Sequence, residues 1–173
     1  MIDFSGKNVV LKSLKPTDFD QILKWGQSSE ESFFLLNFPP LFNRDDLARE
    51  ISRKDIEIMS INSKTEKKPL GLIQMGPPRP QEKQIQIRFT VDTFEDYKAD
   101  TLLEAPTIIL DHYFKTMGIN KVHAYTLEFE KEYESLLKKL GFKKEGTYNR
   151  HFFHKEKYYA INIFGLFKKD FIK

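Results

Sequence analysis

The sequence of 173 residues contains no cysteine. Disulfides, thiolate zinc ligands and a cysteine nucleophile are therefore excluded. No apolar run approaches the ~20 residues that span a membrane. The start, Met1 to Gly6, lacks a basic stretch followed by an apolar one. No secretion signal is expected, and the chain reads as soluble and cytoplasmic. One sign of charge does not dominate either: 28 basic and 25 acidic residues leave a net +3. That dispersed excess is unlike the concentrated basic stripe of a nucleic-acid binder. Neither nucleic acid nor membrane is expected as a partner. Four histidines stand without the tight spacing of a metal site, so no metal is expected. A Ser-His-Asp constellation, a Walker loop, an internal repeat and low-complexity sequence are also missing.

What is present is core-forming material. Hydrophobic residues make up 40% of the chain, and sixteen are phenylalanine. Such a composition buries a core, and the length fits a single domain over residues 1–173. The last third carries a lysine excess that includes Lys138, Lys139, Lys143, Lys144, Lys168 and Lys169. It reads as a solvated surface, or as a source of attraction for an anionic ligand.

Periodicity predicts the elements. Val9–Leu14 is a strand, and Thr17 is placed to cap a helix that Gly26 ends. Asn43 caps a second helix with Asp45 and Asp46 in its first turn. Residues 56–61 and 70–75 are strands, and Ile85, Ile87, Phe89 and Val91 alternate with polar residues as a half-buried strand. Asp100 to Met117 is the longest helix, with Leu102, Ile109, Leu110 and Phe114 on its apolar face. Lys121–Leu127 is a strand, and Glu130–Leu140 is a helix closed by a left-handed Gly141. A final hairpin turns at His154–Lys157. The order β-α-α-β-β-β-α-β-α-β-β makes an α/β chain with a mixed sheet.

Three stretches resemble the GNAT superfamily of N-acyltransferases, in particular the subgroup that acetylates N-terminal α-amines of ribosomal proteins. They are Val10–Trp25, Leu136–Gly146 with its Leu-Gly-Phe and Glu-Gly pairs, and Phe164–Phe171. The resemblance covers nearly the whole chain. It implies a GNAT-like α/β (α+β) fold, with a mixed, mostly antiparallel sheet of about seven strands flanked by about four helices. It implies acetyl-CoA as co-substrate and an amine acceptor, either a small molecule or a peptide. A monomer or a homodimer is expected.

The resemblance also assigns site residues. The backbone of Phe89, Thr90 and Val91 would polarise the thioester carbonyl. The pyrophosphate would meet the loop and helix start formed by Lys98, Ala99, Asp100, Thr101 and Leu102, by the helix N-terminus mechanism. This loop is degenerate, because no glycine lies between Phe94 and Ala105. Asp100 could take the amides that a phosphate would use, or serve as an ordinary N-cap. Glu130 and Tyr133 stand where the family contacts the coenzyme arm. Leu137 stands where many members carry a tyrosine.

Acyl transfer needs a deprotonated amine, a polarised carbonyl and a proton for the thiolate. The candidates for proton transfer are Glu130, Tyr125 and His123. Glu130, like Glu82 and Glu128, otherwise reads as a surface carboxylate, and His123 and Tyr125 as packed or surface-facing sheet residues. Tyr148, His151 and His154 in the last hairpin have the same two readings. Phe34, Phe38 and Tyr148 are the candidates for acceptor binding. The alternative function is a non-catalytic GNAT-fold binding or regulatory protein that has lost standard coenzyme binding.

Overall fold

Alternating apolar residues build a single ordered sheet, and two amphipathic helix pairs cover its two faces. The structure, a computed structural model, describes residues 4–28, 43–65, 69–91 and 100–171. Its strands are β1 (Phe4–Ser5), β2 (Val9–Ser13), β3 (Glu57–Ser63), β4 (Pro69–Met75), β5 (Gln84–Val91), β6 (Lys121–Leu127), β7 (Lys143–His154) and β8 (Lys157–Phe167). Its α-helices are α1 (Phe19–Ser28), α2 (Arg44–Ile51), α3 (Asp100–Lys115) and α4 (Lys131–Lys139).

The strands form one eight-stranded sheet in the order β1-β2-β3-β4-β5-β6-β8-β7. All pairings are antiparallel except β5 with β6. The eighth strand, β1, is only two residues long, too short to show alternation in the sequence. It pairs Phe4 with Leu11 and Ser5 with Val10. The parallel pair follows from the α3 crossover, since a helix is needed to return the chain to the same end of the sheet.

The odd-numbered residues of β5 (Ile85, Ile87, Phe89, Val91) pack with Leu102, Ile109, Leu110, Tyr133 and Leu137 in the larger core. Phe19, Ile22, Trp25 and Leu47 pack on Ile58 and Leu72 in a smaller one. Helices α3 and α4 thus take one face of the sheet, and α1 and α2 the other.

Local chemistry sets the element ends. Asn43 Oδ1 accepts from the amides of Asp45 (2.8 Å) and Asp46 (3.0 Å). Asp46 Oδ2 accepts from the Asn43 amide (3.1 Å), which completes a capping box. Two expected ends differ. The first helix opens as a 3-10 turn, Pro16–Asp18, with Asp18 Oδ2 accepting from Lys15 N at 2.9 Å. Its α-helical part then continues through Gly26 to Ser28. A lone glycine weakens a helix without breaking it. Gly141 has φ 92°. Its amide reaches Lys138 O and that of Phe142 reaches Leu137 O, both at 3.0 Å, a Schellman closure. The last turn is tighter than expected: His154 pairs with Lys157, and only Lys155 and Glu156 lie outside the ladder, both at positive φ.

Candidate active site

The neighbouring strands β5 and β6 pair over a short stretch and then part. The register runs Gln84 with Lys121, Ile85 with Val122 and Gln86 with His123, and stops there. Beyond Gln86 a wedge opens between Phe89 on one side and Tyr125 on the other. Its apex is bridged by Arg88, whose Nη1 donates to Tyr125 O at 3.2 Å.

Arg88 is 8% exposed and Glu130 is 0% exposed. Arg88 Nη1 donates to Glu130 Oε2 at 3.2 Å, and Nη2 donates to Oε1 in a shorter contact. Glu130 Oε2 also accepts from Leu127 N at 2.7 Å. The surface reading of Glu130 is therefore overturned. A charged residue in the apolar strand β5 needs a counter-charge, and Glu130, the residue that precedes α4, supplies it. With its lone pairs committed in this way, Glu130 is not placed as a base.

The Arg88 guanidinium also lies over the Tyr133 ring, 4.5 Å from its centre. Tyr133 is wholly buried. The Phe89 amide points into the wedge, where the Tyr133 hydroxyl accepts it at 3.3 Å. Burial pushes the Tyr133 hydroxyl up to about 12, against the opposing pull of the Arg88 cation and the Phe89 amide. It is protonated at neutral pH. Three sequence-predicted residues, Phe89, Glu130 and Tyr133, thus meet at the wedge. The side chains of Phe89 and Val91 belong to the core, and so does Leu102 in the first turn of α3. Thr90 is buried as well. Asp100, read as an N-cap, is the first residue of α3. Lys98 and Ala99 lie outside the described residues, as do Phe34 and Phe38, and the structure describes only the backbone of Asp100 and Thr101.

At the open side of the wedge, on the sheet face that carries α1 and α2, lies a pocket of about 310 Å³. Gln86, Arg88, Tyr125, Tyr148, His151 and Ile161 line it. Tyr125 and Tyr148 were expected near a site. His123 sits one step behind, with its ring edge-on to Tyr125 at 5.6 Å. Burial, then the positive charges of Arg79 and Lys121, push its imidazole below the ordinary 6.5. It is neutral at pH 7 but does not line the pocket. His154 lies at the hairpin tip, paired with Lys157. Among the described residues no group of His, Asp and Glu could hold a metal ion, and no helix is long and apolar enough to cross a membrane.

The family model "Acetyltransferase (GNAT) domain" matches residues 8–143. No curated protein matches the chain at a significant level. Solved structures share the fold. A spermidine N-acetyltransferase from Vibrio cholerae, in complex with CoA and spermine, superposes with TM-score 0.79 at 13% identity, covering 95% of this chain and 98% of its own. A GNAT-family acetyltransferase from Bacillus anthracis gives 0.78 at 13%, covering 97% and 99%. A candidate ribosomal-protein-serine acetyltransferase from Vibrio cholerae gives 0.76 at 10%, covering 96% and 97%. The family match over most of the chain, together with the parted β5 and β6 strands and the four flanking helices among the described residues, places this protein in the GNAT acetyltransferase family.

Proposed function

We propose that this chain, acting as a single domain, is an N-acetyltransferase that moves the acetyl group of acetyl-CoA directly onto a primary amine. The observation that carries the reading is the wedge. Past Gln86 the inner edge of β5 is not paired with β6, and a pocket opens beside it. An extended thioester arm fits along such an edge, where backbone amides meet a carbonyl. The chain's own residues for that arm are Phe89 to Val91, with the first turn of α3 from Asp100 as the place for phosphate. A GNAT neighbour that holds CoA supports the choice of donor. The acceptor class stays broad: a protein N-terminus, as in the ribosomal-protein subgroup, a polyamine or another small amine.

Two observations favour the second reading, a GNAT-fold binding protein without standard coenzyme use. The Phe89 amide already has a partner in Tyr133, and the stretch before α3 has no glycine. A thermal unfolding series with acetyl-CoA, followed by thiol release with four amines, separates the two. The amines are spermidine, an alanine-initiated peptide, glucosamine and tryptamine. An enzyme gains roughly 2.7 kcal/mol of stability at ~100 times the dissociation constant and releases thiol with at least one amine. A protein that gains no stability with acetyl-CoA fits the second reading.

A further inference from the structure

We infer that His151 is the catalytic residue that takes the proton from the acceptor ammonium. The inference rests on the acetyl-transfer reading above and names a residue for it. In a regular strand, positions 148 and 151 face opposite sides, because side chains alternate. Here Tyr148 and His151 line the same pocket, with ring centres 5.0 Å apart. The cause is a break in the β7–β8 ladder. Between the pairs Tyr148–Ile161 and Phe152–Tyr159, three residues (Asn149, Arg150 and His151) stand opposite Ala160 alone.

Arg150 adopts φ 50°, a left-handed conformation that a non-glycine residue holds at a cost. Its guanidinium lies over the Tyr158 ring at 5.3 Å. Bulges of this kind re-aim a side chain, and they gather beside active sites. What this one re-aims is an imidazole, the side chain whose charge changes near neutrality.

Among the described residues, no carboxylate and no second imidazole lines the pocket. Glu130 is held by Arg88 and the Leu127 amide. Glu145 pairs with Lys121 at 2.8 Å. His123 stands behind Tyr125. Besides Gln86 and Ile161, the groups that line the pocket with His151 are Arg88 of β5, Tyr125 of β6 and Tyr148 of β7.

The step balances. The acceptor arrives as an ammonium and gives one proton to the neutral imidazole of His151, which later passes it to solvent. The freed lone pair forms the C–N bond to the thioester carbonyl carbon as the C–S bond breaks. The second proton leaves the nitrogen and ends on the departing sulfur.

The test uses the full chain and His151→Gln, with His154→Gln as a control at the hairpin tip. Calorimetry with acetyl-CoA is expected to give the same affinity for all three proteins. With the amine of the four that turns over fastest, His151→Gln should lower kcat/KM about 100-fold near pH 7. The loss should shrink toward the pKa of the amine, where free base is abundant, and His154→Gln should behave as wild type. In histidine-labelled protein, the same amine should move the His151 ring resonances. Acetyl-CoA binding with an unchanged pH profile in His151→Gln overturns the role of His151 and leaves the acetyl-transfer reading standing. Failure of all four amines to turn over or to move His151 overturns the acceptor pocket. Failure of the wild type to bind acetyl-CoA removes the reading on which both rest.

Discussion

At the scale of single residues, Arg88 and Glu130 organise the site. Their bond closes the apex of the wedge, and Arg88 lies over the Tyr133 ring. Two buried charges cost desolvation energy, which their mutual attraction only offsets, so the pair gives specific geometry rather than net stability. Removing one partner strands the other. Glu130→Leu or Arg88→Met alone should each destabilise the fold by about 3 kcal/mol or more. The double variant should recover most of that loss. Urea unfolding of the three variants measures it, and a double variant as unstable as the sum of the singles would contradict the pairing. This contact was partly legible in the sequence. An arginine between Ile87 and Phe89 demands a partner, but nothing local names Glu130, forty-two positions on.

At the scale of elements, the end of α4 was the clearest feature. Leu140-Gly141-Phe142 encodes a left-handed stop followed by an inward aromatic, and both occur. The two glycines of this stretch do different work. Gly141 sits at φ 92°, and an added Cβ would meet nothing closer than Leu166 Cδ1 at 3.5 Å. The cost of Gly141→Ala is therefore conformational, about 1 kcal/mol. Gly146 has no positive φ, and an added Cβ would come no closer than 3.7 Å to Ile163 Cδ1. Gly146→Ala should be neutral or slightly stabilising, because it restricts the unfolded chain. Denaturation midpoints of the two variants check the contrast, which fails if Gly146→Ala is the more damaging. The hairpin that follows was legible as two strands and a turn. Its bulge was not, because alternation rules assume a regular ladder, and a left-handed Arg150 has no signature in residue type.

At the scale of the whole molecule, the element order reveals the fold because neighbours in sequence are mostly neighbours in the sheet. Strands β1 to β5 form a meander, and only the α3 crossover puts a parallel pair beside it. The site was harder to read. The wedge is defined by where pairing stops, and the pocket by which rings a distant bulge turns inward. Both depend on contacts between β5, β6, β7 and β8, far apart in sequence. Tyr125 and Tyr148 were placed at a site, whereas Gln86 and Ile161 were not, since their types are ordinary for strands, and Arg88 signalled a partner but not a pocket.

The central claim is that the parted edge of β5 and the start of α3 receive acetyl-CoA. The most direct measurement follows backbone amide resonances of the labelled protein during titration to about 1 mM acetyl-CoA, which mostly fills even a ~100 µM site. The account predicts the largest shifts at Phe89 to Val91, at Asp100 to Leu102 and at Tyr133, with β1 to β3 unmoved. Resonances that stay still throughout, or that move only away from β5 and α3, would contradict it.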